Sequence, residues 1–218
     1  MKTRTLFFAL ALILSACNQQ PINDADLLCV DEGQHAFKPS TFRWVNASVL
    51  AYGYEFGSSI AYDFTADADP GNDSDQCDWN KLGGLSADLF DNHENSLMVA
   101  FRYDLSGQLL LSPYYHLDGV SYWAPAPCSG FTTSNLEDPA LPFLVIDPTA
   151  AFECHFNRQT ETVVSVIVIS GEQTLFFEKE FPNADFDRWR EIGPWFGGNR
   201  PNPGPGQICL KRTAIAFE

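Results

Sequence analysis

Basic residues are scarce in this chain: 13 lysines and arginines stand against 28 aspartates and glutamates, a formal charge of −15. Partners that are read through cationic patches, nucleic acids and anionic membrane surfaces, are thereby excluded as first choices. No apolar run after Leu14 is long enough to span a bilayer. No HExxH, GxSxG or phosphate-binding loop occurs, so none of the catalytic motifs that announce themselves in a single sequence is present. No CxxC occurs either, and the wide, irregular cysteine spacings speak against a zinc site.

What is there begins at the first residue. Lys2 and Arg4 precede an apolar run from Leu6 to Leu14, followed by Ser15, Ala16 and Cys17. A basic start, a short apolar core and small residues before a cut are the parts of a secretory signal. The ending Leu14-Ser15-Ala16-Cys17 resembles the lipobox of bacterial lipoproteins. The resemblance implies cleavage before Cys17, lipidation of that cysteine and a stable membrane anchor, because several acyl chains on one residue hold where one would not. It also implies the cell envelope as the location. By the same resemblance, Asn18 after the cysteine, where an Asp would favour the inner membrane, points to the outer membrane. Residues 1–16 are then signal peptide, 17–28 a lipid-anchored tether and 29–218 a single domain of ordinary size. Loss of Lys2 and Arg4, with no acid removed, takes the charge to −17.

With Cys17 assigned to lipid, Cys29, Cys77, Cys128, Cys154 and Cys209 remain. In an oxidising compartment an odd set of five implies two disulfides and one thiol, with the pairing open.

Period-two patterns dominate the mature chain. Leu97, Val99, Phe101, Tyr103 and Leu105 alternate with other residues and read as a half-buried strand. Asp118-Gly119 between Tyr115-His116-Leu117 and Val120-Ser121-Tyr122 is a hairpin signal. Ser170-Gly171-Glu172 turns a β-branched run, Val163 to Ile169, into Gln173–Phe181; the run reads as a central strand buried on both faces. Arg43–Phe56, Ile60–Phe64, Gln108–Tyr115, Phe143–Ile146, Ala151–Phe156 and Gln207–Phe217 complete the strands, and Leu82–Phe90 reads as a short helix. The expected fold is all-β: a β-sandwich or jelly-roll-like antiparallel domain, with a closed barrel as the alternative.

Two groups of residues could carry a ligand. Asp67, Asp69, Asp73, Asp75 and Asp78 lie within one acidic loop. Hard oxygen ligands at such spacing suit Ca²⁺, although Gly71 and Asn72 break an EF-hand register. The plain alternative is a solvated acidic loop pinned by Cys77. The second group is aromatic: Tyr115, Tyr122, Trp123 and Trp195, with Tyr115 or Tyr122 as the exposed members. Rigid rings stack on sugars and also suit protein interfaces. Adjacent Tyr114 and Tyr115 must face opposite sides of one strand. Glu153 and His155 share a sheet face, which could serve an acid–base pair or two metal ligands but is more often a surface polar pair; Glu178 and Glu180 also share a face, as a glycosidase would want, and exposed acids on an edge strand explain them equally well.

The leading functional expectation is an envelope-anchored binding or adhesion module, glycan first and protein second. A glycan hydrolase or lyase is the next reading, and a structural or assembly lipoprotein binding an envelope protein the third. The anchor makes a direct prediction. Cys17→Ser prevents lipid incorporation and moves the protein from the membrane fraction to the soluble one, as fractionation with labelled palmitate would show; equal labelling of both forms would remove the anchor.

Overall fold

The computed structural model describes residues 26–39, 44–64, 76–88, 92–104, 106–125, 138–197 and 200–217. Cys17, Asp67, Asp69, Asp73 and Asp75 lie outside them. The chain forms two antiparallel sheets packed face to face, a β-sandwich and not a closed barrel.

Among the described residues thirteen strands follow in chain order: β1 (Asp26–Val30), β2 (Trp44–Val45), β3 (Val49–Phe56), β4 (Asn80–Ser86), β5 (Ser96–Tyr103), β6 (Leu109–Leu117), β7 (Val120–Trp123), β8 (Leu144–Ile146), β9 (Phe152–Arg158), β10 (Val163–Ser170), β11 (Gln173–Glu180), β12 (Trp189–Ile192) and β13 (Ile208–Phe217). The first sheet runs β1-β13-β3-β9-β10-β11. The second runs β2-β12-β4-β5-β6-β7, with β8 paired to the other half of β6.

Period-two alternation builds the core. Leu50, Tyr52, Tyr54 and Phe56 on β3, Phe152, Cys154 and Phe156 on β9, and Val164, Val166 and Val168 on β10 all point between the sheets and are buried. Leu97, Val99 and Phe101 on β5 meet them from the second sheet, and the Phe56 and Phe101 rings lie 4.8 Å apart across the interface. The hairpins form where the turn residues demand. Asp118 and Gly119 both take positive φ, 50° and 79°, the conformation whose twist matches two antiparallel strands. Gly171 at φ 58° closes the β10–β11 hairpin.

Several sequence-based expectations change. The described part of the stretch expected as a helix, residues 82–88, is not one: Asn80–Ser86 is β4, because Gly83 and Gly84 weaken a helix and let the backbone approach its neighbours. A Cβ on Gly84 would sit 2.1 Å from the Leu97 carbonyl oxygen. The segment from residue 43 to 56 supplies β2 and β3 to different sheets, and residues 60–64 form no strand. Strand β10 lies one place from the sheet edge, with Val163, Ile167 and Ile169 only half-buried. Conversely, β5 is buried on both faces rather than half-buried. Strand β1 begins at Asp26, inside the stretch expected to be tether.

Two covalent and ionic ties cross this framework. Cys29 and Cys209 form a disulfide directly across the β1–β13 ladder. Cys77 is disulfide-bonded to a partner outside the described residues, and Cys154 is a free, buried thiol whose pKa burial pushes well up. Between the sheets, Arg212 of β13 donates to the Glu191 carboxylate of β12 at 2.8 Å, and the Tyr52 hydroxyl donates to the same oxygen at 2.8 Å. Both charged residues are buried. Removing one partner leaves the other charge in an apolar interior. Arg212→Met should therefore lower the unfolding free energy by about 3–5 kcal/mol in urea titration; a loss under about 1 kcal/mol would mean that the pair behaves like a surface one.

Candidate functional site

The second sheet is buried on its core face, and much of its opposite face is buried too, with Trp44 and Trp195 exposed at its margin; chemistry-bearing side chains collect on that opposite face. The register places them in rows. One row crosses five ladders: Trp44, Arg190, Ser86, Ser96, His116 and Ser121. The next holds Ile192, Gly84, Met98, Tyr114 and Trp123. A third holds Trp195, Lys81, Ala100 and Ser112, with Trp195 joined to Lys81 by two backbone hydrogen bonds of 2.8 Å. A β-bulge between Lys81 and Gly83 absorbs Leu82 and keeps Lys81 on this face.

The rows carry Arg190 and Lys81, together with His116, and no carboxylate. The Asp78 carboxylate lies outside the rows but close enough to act on Lys81 and Tyr114. The aromatic content of the face is distinctive. Trp44 and Trp195 are 46 % and 45 % exposed. Trp123 is half-buried and stacks on Tyr114 at 6.1 Å and 12°. Trp195 in turn stacks on His35 at 5.4 Å and 8°, and the His35 Nδ1 donates to the Phe196 carbonyl at 2.8 Å.

Tyr114 is the centre. The Lys81 ammonium stands 4.6 Å from its ring centroid, and His116 meets it edge-on at 5.3 Å. Burial pulls the Lys81 pKa below the usual lysine range, with the Asp78 carboxylate opposing. Burial also raises the Tyr114 phenol, against a hydrogen bond with Ser121 that lowers it. Tyr114 is therefore a protonated donor at neutral pH.

His116 has a fixed tautomer. The Ser96 hydroxyl gives its only proton to the Asn92 carbonyl at 2.7 Å. It must then accept from His116 Nδ1, 2.8 Å away, which in the neutral ring puts the lone pair on Nε2. His93, exposed on the preceding turn, lies 4.7 Å from the His116 ring.

The aromatic residues picked out from the sequence divide between the two faces. Trp123 and Trp195 belong here. Tyr115 does not: it is buried in the core beside Phe177 and Phe181, its hydroxyl donating to Asp138 at 3.0 Å. Tyr122 stacks on Tyr115 at 4.7 Å, on that same core side. The error was one of register: the hairpin pairs Tyr115 with Tyr122 and Tyr114 with Trp123, and the core takes the first pair. Trp44, Lys81, Arg190 and His116 were missed. His116 is two residues from Tyr114, and that spacing was the available signal.

Of the acidic loop, Asp78 lies within the described residues, near enough to act electrostatically on Lys81 and Tyr114. Among the described residues no group of three or more His, Cys, Asp or Glu forms a metal cluster. Glu153 and His155 do meet, 2.7 Å apart, on the outer face of the other sheet.

No family model matches the chain, and no curated protein matches it in sequence. Solved structures do align. An alginate lyase, vAL-1 from Chlorella virus, is 12 % identical over 88 % of this chain and 85 % of its own, with a TM-score of 0.46. The alginate lyase Aly36B, solved with an alginate trisaccharide, is 10 % identical over 89 % and 82 %, with a TM-score of 0.43. Scytalido-glutamic peptidase is 9 % identical over 88 % and 74 %, with a TM-score of 0.36.

The hydrogen-bond relay predicts a measurable tautomer. Ser96→Ala removes the acceptor at Nδ1, and the His116 ring nitrogens, read by ¹⁵N NMR, should shift from a pure Nδ1–H form toward the Nε2–H form. An unchanged spectrum would show that Ser96 does not set the proton.

Proposed function

We propose that this protein binds an anionic glycan on the outer face of its second sheet. One observation carries the reading: three tryptophans, Trp44, Trp123 and Trp195, share a single sheet face with Arg190, Lys81 and His116, and those rows hold no carboxylate. Indole faces stack on the C–H faces of sugar rings while cations meet acidic substituents. A neutral glycan would need no such segregation of charge, and an aromatic-lined protein interface would not need the buried cations beneath.

A second reading adds chemistry at the same face and rests on the His116 tautomer. A uronate bound with its carboxylate against Lys81 would have its C5 proton taken by His116 Nε2. The C4–oxygen bond then breaks, a C4–C5 double bond forms, and the departing oxygen takes the Tyr114 phenol proton. The step requires a neutral His116 and a protonated Tyr114; burial, which raises the Tyr114 phenol, supports the second, and the Ser96 contact at Nδ1 supports the orientation of the first. Anchoring through Cys17 at the envelope belongs to the same proposal and is supported by the Leu14–Cys17 sequence, with Asn18 favouring the outer membrane as the site. Ca²⁺ at the Asp67–Asp78 loop is likewise proposed on ligand chemistry alone.

Native affinity electrophoresis in gels holding acidic or neutral polysaccharides, with calcium or chelator, tests the reading. Retardation is expected in acidic polymers, weakened at least about tenfold, or ~1.4 kcal/mol, by Trp123→Ala or Lys81→Met. Since burial lowers the Lys81 pKa, the ammonium is lost at a lower pH than an exposed lysine's. Retardation should therefore weaken with rising pH before an exposed lysine would lose its charge, and return on acidification. New ultraviolet-absorbing unsaturated ends, absent in His116→Ala, would establish elimination. Free migration in every acidic gel would end the proposal.

A further inference from the structure

A trough lies on the far side of the molecule from the charged face, on the outer face of the first sheet, with a volume of about 360 Å³. Its floor is Gly53, in the middle of β3. The register puts Thr213 beside Gly53 on one side and Glu153 on the other, with Ile169 beyond Glu153. Glu55 and Lys211 close one end as an ion pair of 3.9 Å.

Gly53 is the informative residue. A glycine in a strand interior weakens the strand, and it is retained where the backbone demands it or where something must approach closely. The backbone makes no demand here: Gly53 has no positive φ. Packing makes none either, since the nearest atom to a Cβ at this position is the Ile215 Cδ1 at 3.6 Å, an ordinary contact. A side chain would fit, and its absence opens the trough.

We infer that this trough is a binding subsite for a neutral pyranose unit, separate from the charged face of the other sheet. The wall chemistry selects the ligand class. Two carboxylates, Glu55 and Glu153, repel an anion, and the Lys211 ammonium repels a cation. A sugar hydroxyl donates to the first two and accepts from the third, and the Thr213 hydroxyl does both. Glu153 is pre-oriented for this by His155, whose Nε2 lies 2.7 Å from its Oε2. Gly53 and Ile169 give the ring's C–H face an apolar floor. The volume is at the small end for a ligand site, which suits one sugar ring or two rather than a chain.

Saturation-transfer NMR on the intact protein tests this, with cellobiose, maltose, xylobiose and laminaribiose as probes. Transfer is expected to at least one of them. Gly53→Val should weaken it at least about tenfold while the melting temperature stays the same or rises, because a β-branched residue suits a strand and removes only the trough. Glu153→Gln, a partly exposed position where folding is not at stake, should weaken it as well. Lys81→Met, on the opposite sheet, should leave it unchanged and so separates this site from the one proposed above. Transfer to none of the four disaccharides, or transfer that survives both Gly53→Val and Glu153→Gln, overturns the inference.

Discussion

The ion pair between Glu191 and Arg212, with Tyr52 bound to the same oxygen, ties the two sheets of this sandwich at one point. Apolar packing is non-directional, so aliphatic and aromatic layers alone would allow neighbouring registers of one sheet over the other. A buried charge does not slide: displaced by one residue, Glu191 or Arg212 would face hydrocarbon unpaired. Fixing Glu191 inward also fixes its strand neighbour Arg190 outward, onto the charged face. Trp44 pairs with Arg190 and follows it. One polar contact inside the core thus specifies the placement of cationic and aromatic groups outside it.

The charged face has its own local device. Strand β4 would run straight were it not for the bulge at Leu82 and the two glycines after it. Those glycines let β4 approach β5 and β12 closely, and the bulge brings Lys81 into line with Trp195 and above Tyr114. Removing water from Lys81 and Tyr114 shifts their pKa values in opposite directions, toward a neutral amine and a neutral phenol.

The sequence announced the all-β class, both hairpins and most of the core strands, because period-two patterns and Asp-Gly or Gly-Glu turns are local signals. It announced the charged face poorly. Whether Tyr114 or Tyr115 faces the core depends on which pair the hairpin turns inward, and both residues are tyrosine. Burial of β5 on both sides was hidden because Arg102 reads as a solvent-facing residue, although it is buried with its guanidinium over the Trp79 ring, and Met98 and Ala100 were weak signals beside it. The helix expected after Leu82 failed for a related reason: two glycines that weaken a helix are what a closely packed bulge requires. Trp44 and Lys81 are far apart in sequence and meet one face only through ladders that β12 and β4 make, which no window of neighbouring residues records.

The Cys29–Cys209 bond has a mechanical consequence. Strand β1 is an edge strand, held to the sheet by a single ladder with β13. A pull on the residues before Asp26 would peel such a strand one hydrogen bond at a time. After three residues it meets the crosslink, and the tension passes through sulfur into β13, which is clasped on both sides by β1 and β3. Tugging at that end therefore loads a strand in the body of the sheet along its length, where many hydrogen bonds share the force at once.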